Sequence, residues 1–365
     1  MLAGSASFFV RLITKLSLVG VVTVGMVSAA LAQGTSPTQA NPSNPPAAGA
    51  DDPMGLPPRT ARPPASAEPA DQSPAVQPES QPAGSEDQGR FVFKKEVQEV
   101  VLHATVVDET GRLVTSLGRN DFTVYQDGQP EAITSFRRED VPVAMGIVVD
   151  NSGSMRDKRG KVNQAVLNLI QVSNPQDEAF IVNFSQTPYL DQDFTSNVTL
   201  LQTALHQVSS RGSTALYDAV VASNVHLRNN PRLDKKVLLL ITDGQDNMSR
   251  ETLQDAVRKL QAEKGPTLYA IGLTDEGMTR SAREALQDLA ASTGGVAFFP
   301  QNLDDVDSIT RAIAHDIRSQ YALAYNPGST GGKRYQQIRV EARASAHKRL
   351  TVRTRSGYYP GETLR

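Results

Sequence analysis

The chain has 365 residues, a formal net charge of −2 and no cysteine. That length allows about two ordered domains beside unfolded sequence. The missing cysteine excludes disulfides, thiolate metal sites, a cysteine nucleophile and a lipid-modified N-terminal cysteine, and the near-neutral charge without a basic stripe gives no footprint for nucleic acid.

The N-terminus reads as an export signal. Arg11 and Lys15 precede the apolar stretch 16–32, which closes on Ser28-Ala29-Ala30-Leu31-Ala32-Gln33. Positive residues, an apolar core and small residues at Ala30 and Ala32 predict a signal peptide over 1–32, cleaved after Ala32, and a periplasmic or secreted protein with no later membrane span. The alternative is an uncleaved signal anchor, since about 17 apolar residues approach a short span. Residues 33–89 are Pro, Ala, Ser, Gly, Gln and acidic residues with few branched or aromatic side chains. Such a segment cannot bury enough apolar area to offset its ordering entropy, so it is read as a disordered linker, either a tether or a plain spacer.

Folding is expected from Arg90, with residues 90–140 as a flanking β segment. Residues 100–107 read as a strand and 108–111 as a turn. Residues 122–125 alternate into Asp127-Gly128, a favoured hairpin turn, with 133–136 as the expected returning strand. His103 falls among strand residues and reads as a packed or surface histidine rather than a ligand. The apolar run 141–149 is a buried strand that empties into Asp150-Asn151-Ser152-Gly153-Ser154. Apolar residues at Val162, Ala165, Val166, Leu169 and Ile170 give helical spacing over 162–172. A strand at 179–184 follows, with 189–194 as its edge partner, then helices at 198–208 and 215–227. The strand 237–241 ends in Thr242-Asp243-Gly244. Helix 253–260, strand 267–273, helix 282–291, a stop at Gly294-Gly295, strand 296–299 and a helix from Asp304 to about Ser319 complete the alternation. Strands alternating with helices predict an α/β fold, Rossmann-like, with a mostly parallel central sheet and helices on both faces. Beyond it, 321–325, 337–343, 349–355 and Gly357-Tyr358-Tyr359 read as strands. Residues 323–365 are expected to form a C-terminal β segment packing with 90–140 into a small β unit.

Asp150, Ser152 and Ser154 alternate, so one carboxylate and two hydroxyls can converge beyond the strand. Hard oxygen donors suit Mg²⁺, Mn²⁺ or Ca²⁺ and suit zinc or copper poorly. Two later stretches give this context: Gly212-Ser213-Thr214-Ala215-Leu216-Tyr217-Asp218, which opens a helical pattern, and Thr242-Asp243-Gly244. In open α/β sheets ligands collect outside the carboxyl ends of strands, where Asp150 and Asp243 fall.

These motifs, in this order, resemble the von Willebrand factor type A (VWA) domain with its metal-ion-dependent adhesion site, over about residues 141–322. The family's first motif falls on Asp150, Ser152 and Ser154, its threonine on Thr214 and its second aspartate on Asp243. Asp121-Phe122-Thr123-Val124, Thr242 to Asn247 and Gly357-Tyr358-Tyr359 further resemble secreted bacterial VWA proteins of the type described from acidobacteria. Ser213 departs from that group, which has a second glycine there. The resemblance implies a divalent cation, Mg²⁺ first, held by Asp150, Ser152, Ser154, Thr214 and Asp243. It also implies metal-dependent binding of a partner protein whose Asp or Glu completes the coordination. Asp246 and Asn247 read either as a rim to the site or as a solvated loop, the solvated loop being preferred. Asp218 is expected to meet the dipole of the helix it opens.

An enzyme is the rival class. No P-loop spelling accompanies Gly153, no G-x-S-x-G surrounds Ser152, and His206, His226, His315 and His347 are scattered without ligand spacing. The expectation is a protein-binding, non-enzymatic VWA protein. The alternatives are a VWA scaffold whose metal is purely structural and a Mg²⁺-dependent hydrolase.

Overall fold

The computed structural model describes residues 99–361 except 139, 207, 209, 231, 274–277 and 329–333. The expected signal at 1–32, the linker at 33–89 and residues 90–98 of the first β segment lie outside the described residues.

The chain enters through four short strands, β1 (Val100–Asp108), β2 (Phe122–Gln126), β3 (Gln129–Glu131) and β4 (Ile133–Arg137). Asp127 and Gly128 both have positive φ, 49° and 82°. That is the two-residue turn whose twist matches flanking strands, and it sets Gln126 opposite Gln129. The returning strand is therefore β3, directly after the turn. The expected partner, 133–136, lies in β4, which leaves this hairpin and pairs with β11, because a two-residue turn leaves no slack to skip to Ile133.

The α/β part follows as β5 (Val143–Asp150), α1 (Arg159–Gln171), β6 (Glu178–Phe184), β7 (Pro188–Thr195), α2 (Val198–His206), α3 (Leu216–Arg228), β8 (Lys235–Thr242), α4 (Leu253–Leu260), β9 (Thr267–Gly272), α5 (Arg280–Ser292), β10 (Ala297–Phe298) and α6 (Asp305–Arg318). The sheet order is β10-β9-β8-β5-β6-β7, parallel except for the edge strand β7. Alternate residues of β5 and β8 serve opposite faces. Ile147, Val149, Leu239 and Ile241 meet α1, α2 and α6, while Ala144, Val148, Leu238 and Leu240 meet α3, α4 and α5. Leu238, Leu239, Leu240 and Ile241 are all fully buried, and at 1.5–3 kcal/mol for each such side chain this one stretch contributes roughly 6–12 kcal/mol. The α/β sheet is thus held by its apolar strands. Helix α4 starts at a capping box of Thr252 and Asp255, and α5 stops where Gly295 N–H donates to Ala290 O.

The last strands, β11 (Tyr321–Tyr325), β12 (Gln336–Ala342), β13 (Leu350–Arg353) and β14 (Gly357–Tyr358), return to the first four. They form two sheets, β13-β1-β11-β4 and β14-β12-β2-β3, which share one core including Leu102, Phe122, Val124, Tyr321 and Val340. The small β unit expected from both flanks is present. It is bound to the α/β part through Asp316 of α6, a buried carboxylate that accepts from Thr105 Oγ1 of β1 (2.8 Å) and from Arg353 Nη2 of β13 (2.9 Å). Gln261 adds a second tie, donating to Tyr335 and Ser356 while its carbonyl accepts from Tyr359 N–H.

Between the β unit and the amino ends of β5 and β8 lies a cavity of about 520 Å³, lined in part by His103, Lys235, Lys236, Gln320 and Arg355. Lys235 is pushed down to about 8 by burial, and its ammonium donates to Ile317 O at the end of α6. His103 is half-buried at this cavity. Desolvation first, then the charges of Lys235 and Arg355, lower its pKa to about 3.

Two outcomes follow from these contacts. Asp316→Ala leaves Arg353 and Thr105 without their acceptor, and is expected to cost about 3 kcal/mol in denaturant unfolding. The transition should stay single, since the two parts share this seam. His103 carries no proton in the folded state between pH 6.5 and about 3, whereas the unfolded chain takes one up. Stability should therefore fall as pH drops through this window, and His103→Gln should recover roughly 3 kcal/mol at pH 4. Melting curves of both proteins from pH 7 to pH 4 measure this.

Candidate metal centre

The site is assembled at the carboxyl edge of the parallel sheet. In the β5–β8 register Val149 stands opposite Ile241, so Asp150 and Thr242 emerge side by side. Asp150 is fully buried. Thr242 Oγ1 donates to its Oδ2 (2.6 Å) and Ser152 N–H to its Oδ1 (2.8 Å). Burial pushes the Asp150 carboxyl above the ordinary carboxylate range and the charge of Asp243 adds to this, against the hydrogen bonds from Thr242 and Ser152.

After Asp150 the chain makes a single 3-10 turn over Gly153–Met155, with Ser152 as its extended N-cap. Met155 is fully buried and anchors the turn. The turn brings the hydroxyls of Ser152 and Ser154 within 3.1 Å of each other. Ser154 Oγ donates to Asp243 Oδ1 (2.8 Å), and Lys158 Nζ donates to Asp243 Oδ2 (2.5 Å). The third loop is tied to the other two by its backbone. Arg211 N–H donates to Asn151 O (2.9 Å), Gly153 N–H to Gly212 O (3.3 Å) and Asn247 N–H to Thr214 O (3.0 Å). Thr214 is buried. A Cβ on Gly244 would lie 3.3 Å from Thr214 Oγ1 and 3.8 Å from Asp150 Oδ2, so the two oxygens crowd the same glycine and leave little space for a side chain. All five residues named from the sequence thus come together.

The donor set is two carboxylates and three hydroxyls. Among the described residues no group of three or more His, Cys, Asp or Glu gathers as metal donors, so any cation held here would depend on the hydroxyls. Such neutral hard oxygens suit a Mg²⁺-like ion that keeps water or takes a further ligand. Beside them a polar cleft of about 290 Å³ is lined by Asn151, Gln186, Thr187, Tyr189, Arg211 and Gly212.

Three features of the site were not read from the sequence. Lys158 is the first: its i+4 spacing from Ser154 resembles an ordinary solvated charge run, and only the turn over Met155 aims it inward. Arg159 is the second, its guanidinium bracing the end of β5 through Asp150 O, Asn183 Oδ1 and Leu205 O. The third concerns Asp246 and Asn247: they lie in a loop, Asn247 exposed as expected and Asp246 part-buried, but their side chains are engaged. Asp246 Oδ1 accepts from Leu216 N–H (2.7 Å), Tyr217 N–H (3.4 Å) and Ser249 Oγ (2.5 Å), so it caps α3 from a distance. Asn247 Oδ1 accepts from Thr214 N–H (2.9 Å). Helix α3 has no side-chain cap of its own at Ala215, and this explains the need. Asp218 lies in its first turn, as expected, and also accepts from Arg250 and Glu251 N–H.

Residues 145–245 match the sequence model of the von Willebrand factor type A domain, so the stretch from β5 to just past β8 is a VWA domain. No curated protein matches the chain. Solved structures with a similar fold include a von Willebrand factor type A protein from Catenulispora acidiphila (TM-score 0.43, 13% identity, 74% of this chain and 76% of that one). Two others are the PilB minor pilin from Streptococcus sanguinis (0.41, 14%, 50% and 63%) and the vWF domain of the type V pili tip protein Mfa5 from Porphyromonas gingivalis (0.41, 14%, 49% and 97%). The chain spans less than two thirds of the pilin, 63% of its length.

Asp246→Ala removes the remote cap of α3, and is expected to cost about 1–2 kcal/mol of stability. Hydrogen exchange should quicken at Leu216 and Tyr217 before it quickens in β8.

Proposed function

We propose that the chain is an exported VWA protein, without catalytic activity, that binds a partner protein through a divalent cation. Asp150, Ser152, Ser154, Thr214 and Asp243 hold the ion, and an Asp or Glu of the partner completes its coordination. The observation that supports this is the convergence of two carboxylates and three hydroxyls from three distant loops at one sheet edge. A bound Mg²⁺ or Mn²⁺ supplies a Lewis-acidic position for an anionic oxygen. The protein orients that position: Thr242 fixes the Asp150 carboxylate, and Ser154 and Lys158 fix that of Asp243. The cleft along Arg211 and Tyr189 offers polar contacts for residues flanking the partner's acid. Export rests on the signal-like N-terminus, with the uncleaved anchor as its alternative; among the described residues no helix is long and apolar enough to cross a membrane.

A purely structural metal is less favoured, because protein hydrogen bonds already join the three loops. Hydrolysis is less favoured because Ser154 donates to a carboxylate already paired with Lys158, which is a poor base for activating a nucleophile.

Calorimetric titration with Mg²⁺ and Mn²⁺ of the wild type, Asp150→Ala and Asp243→Ala comes first. Uptake by the wild type at about 10 mM ion or below, lost in both variants while they remain folded, is the expected result. A pull-down from the exporting cell's envelope should then yield a partner that EDTA releases. If the wild type takes up no divalent ion in that range, the proposal fails.

A further inference from the structure

Asp243 is already engaged by a cation of the protein's own. Lys158 is buried, its side chain 10% exposed, and its Nζ lies 2.5 Å from Oδ2 of a carboxylate that is 1% exposed. The other oxygen, Oδ1, takes the hydroxyl of Ser154. The lysine is placed by the same loop that carries Asp150, Ser152 and Ser154. Met155 N–H donates to Ser152 O, Lys158 N–H to Met155 O, and Val162 N–H to Lys158 O, so the turn runs without a break into α1. The buried Met155 side chain allows that turn little freedom.

The carboxylates of Asp150 and Asp243 and the ammonium of Lys158, when ionised, sum to −1, so a divalent ion takes these three groups to +1, and the buried guanidinium of Arg159 behind Asp150 adds to the positive side. A cation bound to Asp243 would face the ammonium across a single carboxylate, in a place with little water to screen the repulsion. A site with two carboxylates and no lysine would be neutral once filled, and would draw a further anion less strongly.

We propose that Lys158 is the resident counter-cation of this site: it competes with the divalent ion for Asp243, weakens metal binding by the protein alone, and leaves the filled site positive so that it takes up an acidic partner side chain. This rests on the metal reading of the site given above. By linkage, an anion that adds to the filled site raises metal affinity by the same factor that the metal raises anion affinity.

The test uses the full chain with MnCl₂ alone, by calorimetry and by the electron paramagnetic resonance of free Mn²⁺. Lys158→Met is expected to bind Mn²⁺ about tenfold or more tightly than the wild type, and Lys158→Arg, which keeps the charge, within about threefold of it. On the wild type, amine acetylation read by mass spectrometry should speed up severalfold at Lys158 when EDTA is replaced by saturating Mn²⁺. The exposed Lys161 should not change. Equal or weaker Mn²⁺ binding by Lys158→Met overturns the role of Lys158 and leaves the metal reading standing. Uptake by Lys158→Met where the wild type shows none ends the metal reading of the native site, and this inference with it. Uptake by neither removes the metal reading and this inference together. Should Lys158→Met fail to fold, acetylation decides, and a rate at Lys158 that ignores Mn²⁺ overturns the proposal.

Discussion

The parallel pairing of β5 with β8 is the constraint on which the rest depends. Seven register pairs, from Val143 opposite Lys235 to Val149 opposite Ile241, join two strands whose residues are all buried. Helices cover both faces, so neither strand can slide by one residue without moving its leucines and valines into the wrong layer. With that register set, Asp150 and Thr242 are neighbours at the carboxyl edge, and Thr242 can hold the Asp150 carboxylate. The chemistry at the edge is thus positioned by apolar packing well away from it, which is why polar groups can be buried there in number.

That edge is economical with charge. Each carboxylate is surrounded by donors of the protein's own: Thr242 and Ser152 at Asp150, Ser154 and Lys158 at Asp243. Buried acids without such partners would cost several kcal/mol each. The same hydrogen bonds orient the oxygens before any ligand arrives, so little ordering is left for binding to demand. The opposite end of β8 is built differently. Lys235, eight residues and roughly 25 Å away along the strand, caps the carbonyl end of α6 beside the larger cavity. The two ends of one strand therefore serve separate purposes, the carboxyl end a site and the amino end the joint with the β unit.

The β unit is made of segments more than two hundred residues apart in sequence, with β1 against β11 and β2 against β12. Neither segment has a closed sheet without the other, and unpaired edges of this kind invite misassociation. Asp316 makes the joint chemical as well as steric, because one buried carboxylate holds a residue of the first segment and one of the last. The VWA domain and its flanks are in this sense one structure with a shared seam.

Much of this was legible in the residues themselves. Period-two and helical spacing marked nearly every strand and helix of the α/β part, because burial on both faces leaves long apolar runs in β5 and β8 that solvent-exposed segments do not have. The oxygen donors Asp150, Ser152, Ser154, Thr214 and Asp243 were nameable because each sits in a short polar loop directly after or before such a run. What tertiary structure alone decided were contacts between residues with no local signature. The hairpin closed on Gln129–Glu131 and sent Ile133–Arg137 to another sheet, a choice set by the twist of the Asp127-Gly128 turn and the free edge of β11. Asp246 became the cap of a helix thirty residues earlier, and Lys158, spelled as part of a charged surface, turned inward to Asp243. Sequence patterns report which face a residue buries; they do not report which distant loop its charged end will meet, because that depends on the register of the sheet beneath.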